Sequence, residues 1–121
     1  MTVIDHPAPS FSAEDASRLL RDVFGVEGVL SALPSERDQN FRVQDGEGRQ
    51  FIFKIANASE PLAAVEFQIA LLRHIEIGDP SLPVPRVMRP RDGRDFGVAA
   101  GRAGERHALR LVTCLDHGGL A

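Results

Sequence analysis

The spacing of apolar residues along this chain changes period three times, and each change marks an element. From Ala13 to Phe24, Ala16, Leu19, Leu20 and Val23 recur at three- and four-residue steps, which predicts an amphipathic helix. Ser10 or Ser12 can cap it, Glu14 and Asp15 fall in its first turn, and Gly25 ends it. From Val29 to Lys54 the period drops to two. Val29–Leu33 reads as a short strand stopped by Pro34, and Phe41 and Val43 alternate with Arg42 and Gln44. Asp45-Gly46-Glu47-Gly48 supplies a hairpin turn, and Gln50-Phe51-Ile52-Phe53-Lys54-Ile55 carries the strongest strand pattern. In that run Phe51, Phe53 and Ile55 point to one side, and Ile52 and Lys54 to the other.

Helical spacing then returns. Ser59 reads as an N-cap, with Glu60 and Pro61 in the first turn of a helix reaching about Ile77. Leu62, Val65, Ile69 and Leu72 form one apolar stripe, while Phe67, Leu71 and Ile75 form a second on another side, which predicts cover on more than one face. Gly78-Asp79-Pro80 stops this helix. Leu82–Val87, interrupted by Pro83 and Pro85, reads as an edge strand, because each proline removes a ladder donor. Asp92–Asp95 is a turn, Gly101–Glu105 a loop, and Ala108–Leu115 a last strand. The order predicts an α+β fold: an antiparallel sheet of about five strands, one main packed helix and an N-terminal helix. Residues 1–12 form an extension and 13–121 the domain.

Length and composition narrow the chemistry. A chain of 121 residues, 43% hydrophobic and 26% charged, supports one modest core. A net charge of −3 with scattered basic residues points away from nucleic acid and anionic membranes. No apolar run approaches the roughly 18 residues of a membrane span, and residues 1–12 lack the pattern of a signal peptide. The single cysteine, Cys114, excludes an internal disulfide and suits a cytoplasmic setting. His6, His74, His107 and His117 show no metal-ligand spacing, so structural or surface roles are expected for them.

Lys54 is the lysine to explain, the only one in the chain. It lies inside the most apolar strand, where an ammonium needs an anionic partner or a costly desolvation. Glu66 falls about 40° round the helix from Leu62, on the edge of the first stripe, where a carboxylate could reach a sheet below. A lysine snorkelling at a sheet edge, with Glu66 merely solvated, explains the same residues.

The motifs add a resemblance. Leu33-Pro34-Ser35-Glu36-Arg37-Asp38-Gln39-Asn40-Phe41 is similar to a segment of hydroxylysine kinase-like proteins. It also resembles kinase-like domains fused to class III aminotransferase-like proteins. Phe51–Ile55, Glu66-Phe67-Gln68, Val84–Val87 and Leu109–Val112 follow in matching order. The chain thus resembles, over about residues 13–121, the N-terminal lobe of small-molecule kinases of the aminoglycoside phosphotransferase type. The resemblance implies that the loop Ser35–Asn40 covers the phosphates of ATP or GTP, that Lys54 binds them, and that Glu66 orients Lys54. It implies that Ile52 roofs the adenine pocket and that Val112, Thr113, Cys114 and Leu115 form the hinge. The loop has no glycine, so the side chains of Ser35, Gln39 and Asn40 are expected to contribute where backbone N–H groups otherwise would.

What the sequence lacks bounds the expectation. No H-x-D-x-x-x-x-N motif occurs, Asp116-His117 has the wrong order, and Asp95-Phe96-Gly97 precedes the hinge, so it reads as a coincidence. No catalytic residue and no Mg2+ ligand is expected in this chain. Both would belong to a catalytic lobe that also binds the acceptor, a hydroxyl-bearing small amine or amino acid. The chain alone is expected to bind nucleotide without catalysis and to form homodimers through the surface the missing lobe would cover. Two other readings remain open here: a stand-alone binding or regulatory module with the same fold, and a structural domain of a larger enzyme.

Overall fold

The computed structural model describes residues 8–81 and 85–114. Of the two candidate caps, Ser12 opens helix α1 (Ala13–Leu19): its hydroxyl accepts the Asp15 N–H at 3.0 Å. Ala16, Leu20 and Phe24 are the buried residues of this segment. The helix does not stay α-helical to its end but widens into a π-helical turn at Leu20–Phe24. There the Val23 carbonyl accepts the Arg91 N–H at 2.7 Å, a bond from outside the helix. Gly25 closes the turn at φ 71°.

Five strands follow: β1 (Gly28–Leu33), β2 (Gln39–Asp45), β3 (Gln50–Ile55), β4 (Gly97–Ala100) and β5 (Arg106–Thr113). They form one antiparallel sheet in the order β1-β2-β3-β5-β4. Helix α2 (Leu62–Gly78) follows β3. The period-two pattern divides the sheet as expected. Phe41, Val43, Phe51, Phe53, Ile55, Leu109 and Leu111 pack on Ala16, Leu20 and Phe24. On the opposite face Ile52, Ala108 and Val112, with Val87, pack on Val65 and Ile69 of α2. The result is three layers, helix on sheet on helix.

Three elements differ from the expectation. The N-cap of α2 is Pro61, not Ser59. The Ser59 hydroxyl is committed elsewhere: it donates to Asn57 Oδ1 at 2.7 Å and accepts from Arg37 Nη2 at 2.9 Å. The Pro-flanked segment makes only an isolated bridge, Val87 with Val112, and its residues Leu82–Val84 lie outside the described residues. The regular edge strand is instead β4, four residues too small and too few to show alternation. Arg86–Met88 and β4 thus share the outer side of β5, one along each half. The tripeptide Asp95-Phe96-Gly97 serves this packing. Asp95 accepts from Arg89 at 3.0 Å, Phe96 leans on the α2 cluster, and a Cβ on Gly97 would meet Val23 Cγ1 at 2.6 Å.

The β2–β3 turn is closed by a carboxylate. Asp45 Oδ1 accepts the N–H groups of Glu47 and Arg49, and Asp45 Oδ2 meets Arg49 Nε at 2.8 Å. Gly48 takes the positive φ, 83°. Partial burial pushes the Asp45 carboxyl upward, but the hydrogen bonds from Arg49 and Glu47 outweigh it and hold the group below the usual carboxylate range. A depressed folded-state value means that this stabilisation is complete above about pH 4, the unfolded value, and is lost as pH falls through that window. Urea midpoints of the protein and of Asp45→Asn should therefore differ at pH 7 and converge towards pH 3. A constant gap would mean that the carboxylate's charge contributes nothing to the turn.

Candidate functional site

The sheet register, rather than the sequence spacing, decides which polar residues meet. On the α2 side of the sheet, Asn40 of β2, Lys54 of β3 and Arg110 of β5 are directly paired neighbours in one row. The adjacent row runs Ser31, Arg42, Ile52, Val112, with Val87 bridged to Val112. An apolar step, Ile52 and Val112, therefore lies beside a polar step of one amide and two cations. Lys54 and Arg110 make no ion pair among the described residues. Arg110 Nη1 donates to Gln68 of α2 at 2.6 Å, whereas its buried Nε has no partner. Asn40 Oδ1 is buried without a donor. Two adjacent cations and an unanswered amide on one sheet face suit an anionic ligand.

Of the residues singled out from sequence, Asn40, Ile52, Lys54 and Val112 share this face. Glu66 does not join them. Its residue is exposed, no ion pair links it to Lys54, and the helix residue that reaches the polar row is Gln68. Ser35 is exposed on the β1–β2 loop. Gln39 points through the sheet to the other side. Its amide is spent on the backbone of Phe11, accepting the N–H at 2.9 Å and donating to the carbonyl at 2.8 Å. That orientation corrects the expectation that Gln39 faces phosphates: its neighbours in alternation, Phe41 and Val43, belong to the α1 core. Gln39→Ala should accordingly cost about 1–2 kcal/mol in urea unfolding and speed proteolysis near Phe11, with no change at the Lys54 face.

At the end of β5, Thr113 N–H donates to the Arg86 carbonyl at 2.9 Å and Cys114 N–H to the Gln50 carbonyl at 3.1 Å. Thr113 Oγ1 accepts the Arg86 N–H at 2.9 Å. These two N–H groups are thus already committed within the sheet. Leu115 lies outside the described residues.

Two features escaped the sequence reading. Arg110 was visible only as an alternating strand residue, and its place beside Lys54 needs the β3–β5 register. The second is a latch under the β1–β2 loop. Asn57 is 3% exposed, donates from Nδ2 to the Arg37 carbonyl and gives its backbone N–H to Asp38 Oδ1, both at 2.9 Å. Its Oδ1 accepts from Ser59. Asp38 therefore ties the loop to the segment just past Lys54, a positioning task. His107, expected to be structural, is 2% exposed, with Nδ1 2.9 Å from the Ala56 carbonyl and its ring edge-on to Phe11. It borders a cleft of about 320 Å³ with Phe11, Asp15, Arg102 and Glu105, on the α1 side of the sheet. No helix among the described residues is long and apolar enough to cross a membrane.

Comparison with known proteins bears on the family and the fold. Residues 29–120 match the family described as "Phosphotransferase enzyme family". A hydroxylysine kinase of Mus musculus is 27% identical over 118 residues, covering 88% of this chain and 31% of that protein. A hydroxylysine kinase of Danio rerio is 35% identical over 63 residues, covering 50% of this chain and 18% of that protein. The chain thus spans less than a third of the length of these relatives. Among solved structures, an amicoumacin kinase in complex with AMP-PNP, Ca2+ and Ami superposes with a TM-score of 0.71 at 13% identity. It covers 86% of this chain, which covers 31% of it, and it shares the N-lobe fold.

Proposed function

Because the chain belongs to the phosphotransferase enzyme family, we propose that the Lys54 face binds the phosphates of ATP or GTP, as the nucleotide-binding lobe of a small-molecule kinase. The row Asn40–Lys54–Arg110 carries this reading, since its two cations lack acidic partners among the described residues. Ile52 and Val112 offer the adjoining apolar surface for a base. The amicoumacin kinase, which holds AMP-PNP and Ca2+, supports a nucleotide with a divalent cation, taken here as Mg2+. The described residues contain no group of three His, Cys, Asp or Glu side chains arranged for a metal. The Mg2+ ligands would therefore come from other residues, and the ion would neutralise charge on the transferred phosphoryl group.

In the proposed reaction a hydroxyl oxygen of a small amine or amino acid bonds to the γ-phosphorus as the bond to the β–γ bridging oxygen breaks. The nucleoside diphosphate leaves, and the hydroxyl proton passes to a base outside the described residues. Lys54 and Arg110 hold the phosphates in place during that exchange. Methyl spectra recorded during titration with Mg·AMP-PNP test the reading. Shifts at Ile52 and Val112, with Val43 and Leu109 still, are expected. Shifts confined to Val43 and Leu109, or none at millimolar ligand, would overturn it.

The separation of Glu66 from Lys54 favours a second reading, a binding or regulatory module that does no chemistry. In that case Lys54→Ala leaves partner binding intact.

A further inference from the structure

Two polar side chains flank the buried stripe of helix α2, and the sheet is met by one of them. Glu66 and Gln68 are two residues apart, which sets them about 160° apart round the helix. Val65 and Ile69, the buried residues of α2, lie between them on the sheet side. One rotation of the helix therefore brings only one of the two to the polar row. Gln68 is that residue: its Oε1 accepts from Arg110 Nη1 at 2.6 Å.

An amide at this place combines two effects that no other side chain of its size combines. It fixes the guanidinium through a neutral bond, and it leaves the whole positive charge of Arg110 in place. Lys54 is the direct cross-strand partner of Arg110, and like charges directly opposite repel. An anion between them relieves that repulsion. The Arg110 Nε, buried without a partner, keeps a donor that an anion's oxygen can answer. A glutamate at position 68 would hold Arg110 more firmly, through a charge-assisted bond, but would cancel its charge. An aliphatic side chain would keep the charge and lose the position, so that a ligand would have to order a long, mobile arginine as it binds.

We infer that Gln68 is a positioning residue of the phosphate site, holding Arg110 beside Lys54 through a neutral bond and so setting the affinity of this face for a polyphosphate. The inference rests on the nucleotide-binding reading of the Lys54 face. Gln68 is exposed, so its substitutions should leave the circular dichroism spectrum and the urea midpoint unchanged. In calorimetric titration with Mg·AMP-PNP, Gln68→Glu should weaken binding about tenfold, and Gln68→Leu about threefold. In an Arg110→Ala background the Gln68→Glu loss should shrink to about twofold, because the two residues act through one bond. A second readout needs no ligand. The Arg110 guanidinium protons should give resolved signals at low temperature in the wild type and in Gln68→Glu, and averaged signals in Gln68→Leu. Full affinity in both variants, or the same loss with Arg110 absent, overturns the inference and leaves nucleotide binding standing. Averaged Arg110 signals in the ligand-free wild type also overturn it. A wild-type chain that binds no Mg·AMP-PNP at millimolar concentration removes the reading, and the inference with it.

Discussion

Lys54→Ala is expected to abolish the stabilisation that Mg-nucleotide confers on the folded chain. Saturation at about 100 times the dissociation constant adds about 2.7 kcal/mol to a folded protein. For a domain of this size that corresponds to a rise in melting temperature of about 10 °C. The variant should keep its ligand-free melting temperature, because Lys54 is half-buried and makes no hydrogen bond or ion pair among the described residues. Loss of the shift with the baseline unchanged would assign the phosphate contact to Lys54. A full shift in the variant would remove Lys54 from the site and leave Arg110, its neighbour across the β3–β5 pair, as the cation to examine. Arg110→Ala is the companion variant, expected to lose part of the shift, since its guanidinium is held by Gln68 rather than by a carboxylate.

Phe53→Ala should have the opposite profile. Phe53 is one residue from Lys54 but faces the α1 core, where it is 0% exposed and lies edge-on to Phe24 at 6.1 Å. Removing the ring deletes its transfer energy and opens a cavity that the strand backbone cannot close, a cost of about 3–5 kcal/mol. That is a large share of the 5–15 kcal/mol that typically stabilises a domain. Urea denaturation should show the midpoint falling steeply with little change in slope. A loss under about 1 kcal/mol would mean the sheet face and helix α1 are not packed as described. The pair Phe53 and Lys54 thus separates stability from ligand binding at adjacent positions.

The same alternation explains what the sequence disclosed. In Gln50–Ile55 the period is strict and both faces are occupied by large residues, so the sidedness of Ile52, Phe53 and Lys54 is legible without a structure. The segment Asp38-Gln39-Asn40 is recognisable as a motif, yet its three side chains take three directions: to Asn57, to Phe11 and to the Lys54 row. A motif match does not reveal this, because strand register and loop anchoring set each direction. Ser59 fails as a cap for a similar reason, since its hydroxyl is drawn to Asn57 and Arg37 by tertiary contacts. The π-helical turn depends on a bond from Arg91, which is distant in sequence. Glu66 lies exposed on α2, and its distance to Lys54 depends on how α2 rests on the sheet, which periodicity does not encode.

The commitment of the Thr113 and Cys114 N–H groups to Arg86 and Gln50 has a consequence for how such a lobe can change over evolution. On the proposed nucleotide-binding reading, donors to the edge of a purine would have to be groups other than these two. Selectivity between adenine and guanine would thereby be uncoupled from the stability of the lobe. Substitutions outside the sheet could then retune the base without disturbing a strand, whereas the proposed phosphate row, built from three paired strands, is free to vary only with the sheet itself. On that reading, recognition of one half of the ligand is inherited with the fold, and recognition of the other half is open to inexpensive revision.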